Sequence, residues 1–356
     1  MSLRAAAFAI PGDITTITGG YIYERRLLEG LRALGHDVKH LEFGASFPDP
    51  TAADMAQAVD ALAALPPERA LILDGLVFGS IDPAGLARVR APIVAMIHHP
   101  LAFESGLTTA RRAHLHRTER ENLTRAAHVL VPSPHTARIL ARDYGVAPGR
   151  ITIARPGTDR PVRRPAPSLP PLILSVGIQH PRKGHDILLD ALARLVHLDW
   201  RAVIVGAPWD PAHAADLARR HAALGLGARV RLAGRLPQAD LEDLYAAASV
   251  FALATRYEGY GIVFDEALAH GLPIVTCRTG AVPDTVPEAA GLLVPPEDAA
   301  AFAGALGGLL ADPEDLARRA AASARAGQAL PDWAATARAA SSVLEALPRA
   351  APLATS

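Results

Sequence analysis

Glu258-Gly-Tyr-Gly-Ile-Val-Phe-Asp-Glu-Ala-Leu-Ala-His-Gly-Leu-Pro-Ile-Val-Thr276 packs two acids, two turn glycines and a switch from helical to strand-like pattern into nineteen residues. A glycine-rich loop opens a short helix, Ile262 to Ala269, that is apolar on nearly every side and so suits a buried position. Gly271 stops that helix, Pro273 prevents its return, and Ile274 to Thr276 runs on as a strand. With Val250 to Leu253 before the loop, the unit is strand, glycine-rich loop, helix, strand. Glu258 and Glu266 stand eight positions apart across the turn, beside Asp265. An ionised carboxylate on a buried helix is costly unless paired, so these acids call for a partner, a ligand among the candidates.

The same alternation extends in both directions. Upstream in the second half lie Leu172 to Val176, a helix from about Gly184, Ala202 to Val205 and Val230 to Leu232. The first half reads as strand from Leu3 to Ile10, helix from Gly20 to Leu34 stopped by Gly35, and strand from Asp37 to Phe43. Strands follow at Ala70 to Leu73, Ile93 to Ile97 and Ile151 to Ile153, and Ser133-Pro134 caps a helix ending near Gly145. Continuous apolar strands separated by helices indicate parallel sheets covered on both faces. The class is α/β, with two doubly wound, Rossmann-like domains in tandem. Residues 1–160 form the expected N-terminal domain, which the family resemblance given below makes the acceptor-side domain, and 161–171 the linker, within a proline-rich run containing Pro156, Pro161, Pro165, Pro167, Pro170 and Pro171. Residues 172–328 form the C-terminal domain, and 329–356 a helix returning to the N-terminal domain, then a tail. Open α/β sheets bind ligands beyond the C-terminal ends of their strands, so the two domains are expected to face each other across a cleft.

Composition narrows the partners. The 356 residues carry 36 basic and 36 acidic side chains, which gives no global attraction to nucleic acid or an anionic membrane. One cysteine, Cys277, excludes an intrachain disulfide and fits a reducing compartment. No leader pattern and no apolar run of roughly 18 residues is evident, so the expectation is a soluble, cytoplasmic protein. The arginine-rich segment Leu107 to Arg125 reads as a solvated helix, because Glu119 and Glu121 interrupt its charge and no apolar face opposes it. Membrane contact is possible on this reading but not indicated.

Three constellations carry chemistry. Gly177-Ile-Gln-His-Pro-Arg-Lys-Gly184 joins a strand to a helix, and Arg182 and Lys183 there oppose the helix dipole by roughly 0.3–1 kcal/mol each unless an anion sits among them. An isolated Arg-Lys pair is more often a solvated loop; its place after a strand favours a phosphate. Gly19-Gly20 allows close backbone approach to a ligand, although a plain helix start explains it equally and Gly-x-Gly-x-x-Gly is absent. His98, His99 and Asp74 end strands, where side chains face a crevice rather than the core, although a lone histidine is more often structural than functional. No Asp-x-Asp and no Cys/His ligand spacing is present, so no metal is expected.

In this order, the motifs closely resemble the retaining GT-B glycosyltransferases of family four over nearly the whole chain. They comprise Gly19-Gly20, Gly35-His-Asp-Val38, His98, Ser133, Arg155-Pro-Gly-Thr-Asp159, Gly177 through Gly184, Gly206, Gly234 and Glu258 through Pro273. The resemblance implies that Glu258 binds donor-sugar hydroxyls, Glu266 the ribose, and Arg182 and Lys183 the diphosphate. Backbone amides from Tyr260 to Val263 would assist, with Gly177, Gly234, Arg235, Gly259, Gly261 and Ile262 also lining the donor site. His98, a catalytic candidate with Glu258, Arg182 and Lys183, would close over the sugar with Gly19 and Gly20. Ile178 stands where the family often has arginine, which passes the phosphate role to Arg182; Thr255 replaces the usual serine.

The implied activity is metal-independent transfer of a sugar, a hexose first, from a nucleotide diphosphate sugar to a hydroxyl of a glycan, lipid or small molecule, in carbohydrate biosynthesis. Tyr21, Asp74, His99 and Glu104 are the acceptor candidates. No cofactor and no nucleic acid are implied. A non-catalytic nucleotide-sugar-binding subunit is the competing reading, and a dinucleotide oxidoreductase lacks its glycine fingerprint.

Overall fold

The computed structural model describes residues 3–163 and 165–348. The end of the tail expected within 329–356, beyond residue 348, and Arg164 of the 161–171 segment lie outside the described residues. Two compact units divide the chain: one runs up to Gly157 and resumes at Pro331, the other spans Thr158–Leu330.

The first unit holds six strands: β1 (Ala6–Pro11), β2 (Val38–Phe43), β3 (Ala70–Asp74), β4 (Ile93–Met96), β5 (His128–Val131) and β6 (Ile151–Ile153). They form one sheet in the order β2-β1-β3-β4-β5-β6, and every pairing is parallel. All six residues of β1 are buried, as expected for a central strand covered on both faces. Strand order reverses between β1 and β3, so a crevice opens where the chain leaves those strands. Gly19–Ala33 follows β1, and Asp74 and His98 stand at or just beyond the ends of β3 and β4.

The second unit repeats the plan with β7 (Leu172–Val176), β8 (Arg201–Val205), β9 (Val230–Gly234), β10 (Val250–Leu253), β11 (Ile274–Cys277) and β12 (Gly291–Val294). Their order, β12-β11-β10-β7-β8-β9, reverses between β7 and β10. The loops after those two strands are the Gly177–Gly184 and Glu258–Gly261 motifs. From Thr158 on, the proline-rich run belongs to this unit: Ala166 and Ser168 donate their amides to Ala246 and Ala247 carbonyls at 2.7 and 2.9 Å, and Arg160 donates to the Gly327 carbonyl at 2.9 Å. Among the described residues no helix is long and apolar enough to cross a membrane.

Two sequence expectations need correction. The helix Thr109–Leu123 is not solvated all round: Leu115, Glu119, Asn122 and Leu123 are buried, and Asn122 donates to the Phe78 and Ile81 carbonyls. A polar residue that satisfies interior carbonyls occupies the place an apolar one would take, which hides the buried face from a hydrophobicity reading. Strands β5 and β12 are short segments that the apolar pattern did not single out.

The C-terminal helix Trp333–Ala346 packs on Gly19–Ala33 within the first unit. A Cβ on Gly30 would lie 2.6 Å from that of Ala337, so the glycine sets how closely the helices approach. His36 bridges the Arg4 carbonyl and the Ser341 hydroxyl, each at 2.8 Å. Gly30→Val is therefore expected to cost about 1–3 kcal/mol by overpacking, read as a lower thermal midpoint and earlier cleavage beyond Pro331 in limited proteolysis.

Candidate functional site

In the second unit, two loops converge beyond β7 and β10. The first turns through a short 3₁₀ segment, Pro181–Lys183, and ends at Gly184, whose φ of +64° is left-handed. A Cβ there would run into the Ala254 carbonyl on the second loop, so glycine is required twice over. The helix proper begins at His185, which places Arg182 and Lys183 in the turn before it rather than in its first turn. His180 Nδ1 accepts the Arg182 amide at 3.1 Å, and His185 Nε2 lies 3.1 Å from the Gly177 carbonyl. Burial pushes His185 down to about 4, so it is neutral near pH 7 and donates to that carbonyl.

Glu258 is 4% exposed and ties the loops together. Lys183 Nζ donates to its Oε1 at 2.7 Å, the Thr255 hydroxyl lies 3.0 Å from the same oxygen, and Arg182 approaches Oε2 at 3.4 Å. Burial alone would raise the Glu258 carboxyl; the charges of Lys183 and Arg182 and the bonds from Lys183 and Thr255 outweigh it and hold the group below the usual range. Thr255 is fully buried and its hydroxyl also reaches the Arg182 and Tyr257 carbonyls, which makes it a structural tie between the loops. Arg256 braces the turn from behind, with a two-point ion pair to Asp186 at 2.9 and 2.8 Å and further bonds to Glu297 and the Pro181 carbonyl.

Gly261, at φ +90°, starts the helix Ile262–Ala269. First-turn amides such as those of Ile262 and Val263 have no intrahelical acceptor and present positive character to the crevice. The helix acids are not unpaired as the sequence suggested. The Tyr260 hydroxyl donates to Asp265, which turns the Tyr260 side chain into the unit, and the Tyr245 hydroxyl donates to Glu266 Oε2 at 2.8 Å. Both partners are tyrosines, one of them distant in sequence, so periodicity gave no sign of them. Burial lifts the half-buried Glu266 to about 7 despite the Tyr245 bond, with Glu242 and Asp159 adding to the rise. Gly234 ends β9 at φ +62°, and Arg235 beyond it is exposed, with no bond or ion pair to the Glu258 group among the described residues. Gly177 donates its amide to Val205, and Gly259 is buried in the second loop.

In the first unit, His98 just past β4 meets Gly19–Ala33, whose second residue, Gly20, lies beside its ring. A Cβ on Gly20 would sit 3.9 Å from His98, an ordinary contact, so packing within the unit does not demand glycine there; Gly19 is exposed. Tyr23 packs edge-on to His98 at 5.3 Å. Asp74 is 2% exposed and caps the turn after β3 through the Leu76 amide at 2.9 Å. Of the other acceptor candidates, His99 pairs with Glu104 at 3.1 Å and Tyr21 donates to the Pro11 carbonyl at 2.8 Å. Sequence reading missed Glu24, buried beside Asp74 and 3.5 Å from His98 Nε2. Glu24 sits four residues into a helix after Gly20, with no local signal to mark it.

A family model described as Glycosyl transferases group 1 matches residues 170–312, and one described as Glycosyltransferase Family 4 matches residues 76–160. The second half of the chain thus carries a group 1 glycosyl transferase domain, and part of the first half a family 4 domain. Among curated relatives, D-inositol 3-phosphate glycosyltransferase of Corynebacterium efficiens is 32% identical over 187 residues, 47% of this chain and 44% of that protein. The Acidothermus cellulolyticus protein of the same name is 35% identical over 206 residues, 51% of this chain and 45% of its own. The matches therefore span less than half the length of either relative. Sucrose-phosphate synthase from Thermosynechococcus elongatus superposes with a TM-score of 0.81 at 24% identity, over 95% of this chain and 98% of its own, and so shares the GT-B fold. Anabaena HepE in complex with UDP-glucose gives 0.77 at 18%, over 96% and 100%.

Two stability outcomes follow. Lys183→Met leaves Glu258 with one weaker cationic partner and is expected to cost about 3 kcal/mol near pH 7 in chemical denaturation. Because the folded Glu258 pKa is depressed, the network's contribution is complete above the unfolded carboxylate range and is lost as pH falls through the folded value; the difference from wild type should narrow in acid. Glu266 has the opposite sign, since its raised pKa makes ionisation costly between about 4.5 and 7. Glu266→Gln should therefore raise stability by about 1–2 kcal/mol at pH 8 and leave it unchanged at pH 4.

Proposed function

We propose that this chain is a retaining glycosyltransferase that moves a sugar from a nucleotide diphosphate sugar to an acceptor hydroxyl, with the diphosphate charge met by protein groups rather than by a metal. The observation that carries the reading is the convergence of Lys183, Arg182 and Glu258 on the loops after β7 and β10, beside the helix N-terminus at Ile262. Two cations and a positive helix end surround one carboxylate, which leaves the cluster net positive and suited to a diphosphate. Glu258 fixes both cations before the donor arrives, so little reorganisation accompanies binding. Glu266 on the same helix would accept from the ribose hydroxyls.

Breaking the bond between the anomeric carbon and the phosphate oxygen leaves negative charge on the diphosphate and oxocarbenium character on the sugar. Lys183, Arg182 and the Ile262 and Val263 amides would stabilise the first. The acceptor oxygen attacks the anomeric carbon on the face the phosphate leaves, and its proton passes to the departing phosphate oxygen. Charge and protons balance without a protein nucleophile. The acceptor would be taken up at the strand ends of the first unit, near His98.

The HepE structure holds UDP-glucose, so UDP-sugars are the first donors to test. In a thermal-shift panel, the true donor at a hundred times its dissociation constant should add about 2.7 kcal/mol. Lys183→Ala and Glu258→Ala should each abolish sugar transfer by the purified chain while circular dichroism stays native. Near-normal transfer in both variants would sink the proposal. Donor binding without any product, across a broad acceptor panel, would favour a binding subunit instead.

A further inference from the structure

The two acids of the second unit's crevice are engaged to different degrees. Both oxygens of Glu258 meet protein groups, Oε1 the Lys183 ammonium and the Thr255 hydroxyl, Oε2 the Arg182 guanidinium. Glu266 is half-buried, and only its Oε2 is engaged, by the Tyr245 hydroxyl at 2.8 Å. Its Oε1 has no protein donor among the described residues and is not closed off from solvent.

Tyr245 is a fixed donor. It lies on the helix Gln238–Ala247 and is 3% exposed. Its ring is parallel to that of His270 within 13° at 4.7 Å and to that of Phe251 within 10° at 6.3 Å. Glu242, on the same helix as Tyr245, approaches His270 Nε2 at 3.6 Å and steadies the stack. Burial and the nearby Glu266 and Glu242 push the phenol well above the usual tyrosine value, so it keeps its proton and directs it to Glu266.

Glu266 follows Ile262 by four residues on the helix Ile262–Ala269. It therefore shares a face with Ile262, one turn or about 5.4 Å further along the axis. In a nucleoside diphosphate a single methylene joins the ribose to the nearer phosphate. A diphosphate at the helix N-terminus thus brings the ribose to that next turn.

The geometry points to Tyr245 as a positioning residue that makes the donor site select ribonucleotides. By holding Glu266 Oε2 it leaves Oε1 as one fixed acceptor for the vicinal 2′- and 3′-hydroxyls, so the chain takes ribonucleoside diphosphate sugars and discriminates against 2′-deoxyribonucleoside ones, thymidine diphosphate sugars among them. The inference rests on the donor site proposed above, with Glu266 at the ribose. An untethered carboxylate turns readily about its last torsion and satisfies itself with water or with one hydroxyl. A pinned one cannot, and loss of the 2′-hydroxyl leaves a half-buried oxygen short of a donor.

The test is isothermal titration calorimetry of the full chain at pH 8, where Glu266 is ionised, with UDP, ADP and GDP and the 2′-deoxy form of each. For the base that binds most tightly, the ribo form should bind about 10- to 100-fold more tightly than the deoxy form, as a hydrogen bond to a charged group implies. Tyr245→Phe keeps the ring and its stacking, and should bring that ratio to within about threefold by weakening the ribo form alone. A merely structural role would weaken both forms equally. Glu266→Ala should lose the ratio as well, and Tyr245→Phe added to it should change nothing further. A wild-type ratio within about threefold overturns the proposal without any variant, as does a full ratio in folded Tyr245→Phe. Failure of all three ribonucleotides to bind overturns the donor-site reading and this proposal together. Ribonucleotide binding that Lys183→Ala removes, but that shows no preference for the 2′-hydroxyl, overturns this proposal alone.

Discussion

A single buried carboxylate organises the second unit's site. Glu258 sits where an ionised group is costly, and what stabilises it is the pair of cations that the other loop delivers. Each loop is thereby held by the other. Gly184 can pass beneath the Ala254 carbonyl only because it lacks a side chain, and Thr255 bonds back to the Arg182 carbonyl from that same crossing. Remove the carboxylate and two cations face each other across a narrow gap; remove the cations and the carboxylate is stranded. The placement of Arg182 and Lys183 and the local stability of the loops therefore rest on one interaction.

The sheets explain why that interaction falls where it does. In both units the strand order reverses once, and at a reversal adjacent strands send their chains to opposite faces. The loops leaving β7 and β10 open a crevice in the second unit, and those leaving β1, β3 and β4 do so in the first. Both crevices collect charge, but of opposite character. The second holds two cations around one acid; the first holds two acids beside a neutral histidine, whose pKa burial lowers more than Asp74 raises it. The second is net positive, and the first is acidic and closed off from lysine and arginine among the described residues.

The residues behind the site matter as much as those that face it. Arg256 joins Asp186, Glu297 and the Pro181 carbonyl, so the 3₁₀ turn that carries Arg182 and Lys183 is anchored to the helix below it and to the loop after β12. Tyr245 fixes Glu266 from a neighbouring helix and stacks on His270 at 4.7 Å. These contacts hold rotamers in place before any ligand arrives, which is how a site made from loops is kept rigid.

The parallel, doubly wound architecture is legible along the chain, because strands buried on both faces read as continuous apolar runs and glycine or proline marks where helices stop. So are the two motifs that lie on single loops, Gly177–Gly184 and Glu258–Gly261, since their residues are neighbours along the chain. Which acids find partners depends on how distant segments meet in the fold. Tyr245 with Glu266, Arg256 with Glu297, and Glu24 with Asp74 and His98 are separated by tens of residues, and no local period encodes them. Asn122 and Glu119 made a buried helix face look like a wet one. Burial turns such polar residues from surface features into paired or orphaned groups, and burial is a property of how segments meet rather than of any segment alone.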